Sequence, residues 1–204
     1  MVSPVVLEYV AALPLGSHAI HCYSNKNEVA QIFDSYLQGG LERDEAVHLI
    51  TPNHETYTNF LQATNVNIES LENDKRLGCV LIADFLLDKD RLSSTKALDS
   101  ALKLIQEDEE FGFKGTRTFT TNAELDYSNY GSPSDLLQYE RELGRSFNLP
   151  LSAVCTYNAR GLVDAGLDDL LLTLFKPHGQ IIFRGLACAQ GEQTSVRGTA
   201  EGFR

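Results

Sequence analysis

Residues 18–33 read HAIHCYSNKNEVAQIF, and the change of period inside this stretch decides the fold. His18–Tyr23 is a short apolar run of strand type. From Glu28 to Arg43 the residues Val29, Ile32, Phe33, Tyr36, Leu37 and Leu41 recur at helical spacing and mark one face of an amphipathic helix. Between the two, Asn25 followed three residues later by Glu28 has the form of a capping box. A strand that turns directly into a helix is the first half of a βαβ unit.

Outward from there the alternation repeats. Glu45–Thr51 is a second strand, and Thr51-Pro52 places a cap and an N1 proline before a helix through about Ala63. Leu77–Ala83 is a near-continuous apolar run, as expected of a strand covered on both faces. Ser94–Glu110 carries Ala97, Leu98, Ala101, Leu102 and Ile105 on one helical stripe, and Gly112 and Gly115 bracket the turn into a fourth strand, Thr116–Thr121. Asn122–Gly131 is polar and loop-like. Ser132-Pro133-Ser134-Asp135 opens a further helix. A fifth strand at Leu151–Tyr157, a leucine-rich helix at Leu167–Phe175 and a sixth strand at Gln180–Phe183 follow. Strands separated by helical patterns imply crossover connections and a mainly parallel sheet. The expectation is one α/β domain over residues 17–188, a helical extension over 1–16 that starts on Ser3-Pro4, and a polar tail over 189–204.

The chain has 204 residues, 43% of them apolar, enough for one substantial core. Its formal net charge of −11 repels phosphate backbones, so direct nucleic-acid binding is not expected. No apolar run approaches the roughly 18–20 residues needed to span a bilayer. The stretch Val5–Leu13 lacks a basic start and is interrupted by Glu8, unlike a signal sequence. A cytoplasmic protein without a membrane partner is expected. Cys22, Cys79, Cys155 and Cys188 stand far apart with no CxxC pair, and read as reduced structural thiols.

In such folds a ligand sits beyond the carboxyl ends of the strands. A phosphate-cradling loop needs glycines that let backbone N–H groups wrap the anion, then a Lys-Ser or Lys-Thr pair. The turn Tyr23-Ser24-Asn25-Lys26-Asn27-Glu28 has neither, and Glu28 places a carboxylate where an anion would settle. No complete GxGxxG occurs, so no dinucleotide cofactor is expected.

Several short motifs, in order, carry a resemblance. They are Ala19-Ile20-His21-Cys22-Tyr23, Gly39-Gly40-Leu41-Glu42-Arg43-Asp44-Glu45, Gly115-Thr116-Arg117, Leu136-Leu137-Gln138-Tyr139-Glu140, Val154-Cys155-Thr156-Tyr157-Asn158 and Pro177-His178. Together they resemble the MEDS domain, the methanogen/methylotroph DcmR-type sensory domain, over roughly residues 17–185. The resemblance implies a three-layer α-β-α domain of RecA/KaiC type with a degenerate phosphate loop. It also implies a sensory role upstream of a kinase or transcription regulator, with a small organic molecule as ligand. No output domain is expected within these residues, so signalling is expected to pass through a separate partner. Assembly into a homo-oligomer is left open.

If strands one, four and five have neighbouring carboxyl ends, a pocket there gathers Cys22, Tyr23, Asn122, Glu124, Tyr157 and Asn158. His21, Asn25, Glu28 and Arg117, and Tyr139, Glu140, Cys155 and His178 from the motifs, complete the candidate ligand-binding set. Glu140 is the first partner to test for a buried Arg117. His21, Cys22, Cys155 and His178 have zinc-binding chemistry, but the close paired spacing of structural zinc sites is missing, so no metal is expected. Two other functions remain open. One is a divergent ATPase or thiol-dependent enzyme, the ATPase leaning on Lys26. The other is a pure protein-interaction module.

Overall fold

The computed structural model describes residues 2–62, 64, 66–121, 132–164, 166–183 and 186–189. Its centre is a seven-stranded sheet built from β1 (His18–Tyr23), β2 (Ala46–Thr51), β3 (Leu77–Leu81), β6 (Thr116–Thr120), β7 (Leu151–Asn158), β8 (Gln180–Phe183) and β9 (Leu186–Ala189). The order across the sheet is β3-β2-β6-β7-β1-β8-β9. The first six of these are mutually parallel, and β9 adds an antiparallel edge strand. As expected, β6, β7 and β1 are neighbours. Two-residue strands β4 (Leu87–Asp88) and β5 (Arg91–Leu92) form a separate small ribbon.

The strands alternate their side chains between two helical layers. On one face lie α1 (Pro4–Ala11), α2 (Lys26–Glu42), α3 (His54–Leu61) and α4 (Ile68–Asn73). There Val10, Ile32, Phe33, Tyr36 and Leu37 meet Ala19, Val47, Leu49, Phe119 and Val154 of the sheet. On the other lie α5 (Ile82–Leu86), α6 (Ser94–Phe111), α7 (Pro133–Ser146), α8 (Ala159–Asp164) and α9 (Asp168–Leu174). Phe85, Ala101, Leu136, Leu143 and Leu174 pack there on Ile20, Ile50, Leu151, Ala153 and Cys155. We call these the α2 face and the α7 face. The result is a three-layer α-β-α domain.

Local chemistry sets the helix boundaries. Asn25 caps α2 by accepting from the Glu28 N–H, and the predicted start holds to within two residues. Ser132 and Asp135 form a reciprocal capping box on α7, with Pro133 in its first turn. Before α3 the expectation is corrected. The cap is Asn53, which accepts from the Thr56 N–H, while Thr51 is the last residue of β2 and its hydroxyl donates to the Asn53 carbonyl. The apolar run at residues 77–83 also divides: the strand stops at Leu81 and α5 starts at Ile82. Continuous apolarity cannot separate a buried strand from a buried helix. The loop expected at residues 122–131, and the tail from residue 190 onward, lie outside the described residues.

Arg117 fixes the α2 face. It is fully buried and pairs with Glu45 through Nε. Its other donors reach the carbonyls of Tyr36, Ala11 and Leu13, and its guanidinium lies 4.5 Å over the Tyr36 ring. The expected Arg117–Glu140 pair does not form. Arg117 points to the α2 face, whereas Glu140 of α7 packs on the other side of the sheet. Where α1 crosses α2, a Cβ on Gly39 would come within 2.2 Å of the Ala11 carbonyl oxygen, so only glycine permits this approach.

Candidate functional site

Between the sheet and the α7-face helices lies a cavity of about 40 Å³. Most of its wall is apolar: Ile50, Phe85, Ala97, Ala101, Leu143 and Phe147 among others. Polar groups enter from Thr118 and Thr120 of β6, from Tyr139 of α7, and from His18 and Cys155, which lie side by side. Strand parity explains this gathering. Ala153 and Cys155 project to the α7 face from β7, and His18 does so from the start of β1.

Behind His18 the polar groups continue into the protein. The His18 ring stacks on Phe147 at 4.6 Å and lies 4.2 Å from the ring of His178. His18 Nε2 is 3.6 Å from Cys155 Sγ. His178 Nδ1 is 2.7 Å from the Leu174 carbonyl. Because a carbonyl only accepts, the proton sits on Nδ1 and Nε2 carries the lone pair. That Nε2 lies 3.6 Å from Glu140 Oε2, while the Tyr157 hydroxyl donates to Glu140 Oε1. His178 is held against α7 by Gly144, where a Cβ would meet the Pro177 carbonyl at 2.5 Å.

Burial governs the charge states here. It pushes the Glu140 carboxyl up to about 7, the Tyr157 hydrogen bond opposing it. It pulls His178 down to about 4, and His18 well below its usual value, with His178 adding to the latter. Burial and the nearby Glu140 raise the Cys155 thiol. Near neutrality both imidazoles are therefore neutral and the thiol is protonated. His18 Nδ1, His178 Nε2 and Glu140 Oε2 are buried without a well-formed hydrogen bond, although the Pro177 backbone lies near His18 and favours its protonation slightly. Unsatisfied groups in this number, so close together, are unusual.

The turn after β1 uses its donors internally. Ser24 N–H and Asn25 Nδ2 donate to the two Glu28 oxygens at 3.0 and 2.8 Å, and the Glu28 N–H returns to Asn25 Oδ1 at 3.1 Å. A resident carboxylate thus occupies donors at the start of α2.

The residues named from sequence fall into two groups. Cys22, Cys155, Tyr157, Tyr139, Glu140 and His178 belong to the α7 face. His21, Tyr23 and Arg117 lie on the α2 face, and Asn25 and Glu28 at the helix start beyond it. One pocket therefore cannot hold all of them. His21 packs on Tyr23 with ring centroids 5.9 Å apart. The four residues with zinc-binding chemistry divide in the same way: His21 is on the α2 face, and His18 stands beside Cys155 and His178. Asn122 and Glu124 lie outside the described residues. His18 was missed because a lone histidine at a strand start carries no periodic signal. The parity of residues 18, 20 and 22 was the available clue.

A family model described as MEDS, MEthanogen/methylotroph, DcmR Sensory domain, matches residues 17–173. No curated protein matches the chain. Among the 152 solved chains that do match is a structural-study target from Pyrococcus horikoshii OT3. It is 9% identical, with 93% of each chain covered and a TM-score of 0.61. That likeness concerns the fold alone. Among the described residues no helix is long and apolar enough to cross a membrane.

Proposed function

We propose that this chain, which belongs to the MEDS family of sensory domains, senses a small, mainly apolar molecule in the α7-face cavity without transforming it. The observation that carries this reading is a cavity with mostly apolar walls and a few polar groups among them, the usual build of a small-molecule site. An apolar cavity of 150 Å³ holds a benzene ring. A space of about 40 Å³ therefore suits a ligand of only a few heavy atoms. A hydroxyl or other single polar group on it would meet Thr118, Thr120, Tyr139 or His18. In this reading the ligand sits under α6 and α7, rather than beyond the carboxyl ends of the strands.

Two features support a non-catalytic role. The Glu28 carboxylate sits on donors that a phosphate would need. The Cys155 thiol is buried with a raised pKa, opposite to what a nucleophile requires. Signal output passes to a protein partner of kinase or transcription-regulator type, as the family resemblance implies.

Thermal unfolding of the full chain with one-carbon and small apolar organics, and separately with ATP and Mg²⁺, tests the proposal. A ligand that binds only the folded state stabilises it by about 2.7 kcal/mol at a hundredfold excess over Kd. A saturable rise in Tm with an organic compound, and none with ATP, is expected. A rise with ATP that Lys26→Ala removes, with no response to any organic, contradicts the reading.

A further inference from the structure

We infer that His18, Cys155, His178 and Glu140 form a buried site for a zinc-like divalent cation. The ligating atoms of His18, Cys155 and His178 all lie within 4.8 Å of one another, and all three residues are buried. In a tetrahedral zinc site, Zn–S of about 2.3 Å and Zn–N of about 2.0–2.1 Å put a sulfur and a nitrogen about 3.5 Å apart. His18 Nε2 and Cys155 Sγ are 3.6 Å apart. An imidazole nitrogen and a carboxylate oxygen on the same ion stand about 3.4 Å apart, and His178 Nε2 and Glu140 Oε2 are 3.6 Å apart. Two edges of the tetrahedron therefore exist already. The ligating atoms of His18, Cys155 and His178, all within 4.8 Å of one another, close onto one ion by moving about an ångström, and Glu140 joins them from its place beside His178.

The buried atoms without partners are the second observation. His178 Nε2 and Glu140 Oε2, both fully enclosed, have no hydrogen bond and face each other. A cation between them gives each lone pair a partner. The outer contacts are those that orient metal ligands elsewhere. The Leu174 carbonyl holds the His178 proton on Nδ1 and leaves Nε2 for the ion. The Tyr157 hydroxyl holds Glu140 by its other oxygen. Charge also balances: one thiolate and one carboxylate neutralise a divalent ion, with two neutral imidazoles completing the set. Binding releases the Cys155 proton to solvent, together with that of Glu140 where it is protonated. The site draws on the start of β1, the middle of β7, α7 and the turn before β8, so no short motif marks it.

The site goes beyond the sensory reading, and its test needs no organic ligand. The full chain is stripped with a chelator and titrated with Co²⁺. One equivalent is expected to bind, with a thiolate-to-cobalt charge-transfer band and intense visible bands of tetrahedral cobalt, both displaced by Zn²⁺. Cys155→Ser is expected to lose the charge-transfer band, and Tyr157→Phe to weaken binding about tenfold. Cys79→Ser is the necessary control, because Cys79 Sγ lies 3.5 Å from His54 Nδ1 in a more open position. X-ray absorption at the zinc edge on the unmutated protein covers the case in which Cys155→Ser does not fold. One sulfur among nitrogen and oxygen ligands is expected. A shell without sulfur, no charge-transfer band on folded protein, or a band lost in Cys79→Ser and kept in Cys155→Ser overturns the assignment.

Discussion

Arg117 shows what one buried charge contributes to this fold. Its guanidinium joins Glu45, the α2 carbonyl of Tyr36 and the carbonyls of Ala11 and Leu13. Breaking a buried pair costs about 3–5 kcal/mol, and here Arg43, 3.4 Å from Glu45, keeps that carboxylate partnered and sets the expected loss at the lower end. Arg117→Leu is expected to lose that much in urea unfolding, and Glu45→Leu in the same chain to restore part of it. A loss below about 1 kcal/mol would contradict this role. His21 makes a second prediction. Burial holds it down to about 3, against 6.5 for the exposed ring. The folded state therefore keeps it neutral where the unfolded chain is already protonated. Its contribution is complete above about pH 6.5 and falls toward pH 3 by about 1.4 kcal/mol per unit. Acidified from pH 6.5 to 4.5, the unmutated protein should lose more stability than His21→Gln; parallel curves would refute the assignment. Residue types were legible in the sequence, but their directions were not. His21 and Cys22 are adjacent and were grouped together, although neighbouring strand residues must face opposite layers.

At the scale of elements, the parallel strands were legible because long apolar runs have few other uses in a chain of this composition. Caps with a side-chain acceptor three residues ahead of its donor, such as Asn25 and Ser132, were legible too. Thr51-Pro52 misled because the strand outcompeted the cap: Thr51 completes the ladder of β2 and leaves Asn53 to start α3. Asn53→Ala is therefore expected to cost about 1 kcal/mol in chemical denaturation; an effect near zero would argue against this boundary. The short elements α4, α5 and β9 were not read, since four to six residues give no resolvable period. Packing of whole elements gives the next prediction. Gly39→Ala puts a methyl into the Ala11 backbone, which has no flexible end to yield. A loss of about 1–3 kcal/mol is expected. An unchanged midpoint would mean that α1 does not sit as described.

The whole molecule divides its work between the two faces of one sheet. The α2 face is closed by aromatic packing and the Arg117 network, and the rings of Phe33, Phe60 and Phe119 meet edge to face or tilted, with centroids 5.1–6.2 Å apart. The α7 face keeps a cavity, with a polar cluster beside it. The three-layer architecture was legible from alternating periods. This inequality of the faces was not, because it depends on how α6 and α7 pack against the sheet. Ala101 lies in the cavity wall, so Ala101→Leu should fill the space and abolish any ligand-induced rise in Tm while the protein still folds. A variant that keeps the rise would move the ligand elsewhere. The most direct test of the central claim is an NMR titration of the full chain with whichever small organic compound raises Tm. The account predicts that amide shifts concentrate at Ala101, Thr118, Tyr139, Leu143 and Cys155. Shifts concentrated at residues 23–28, with the cavity wall unchanged, would contradict it.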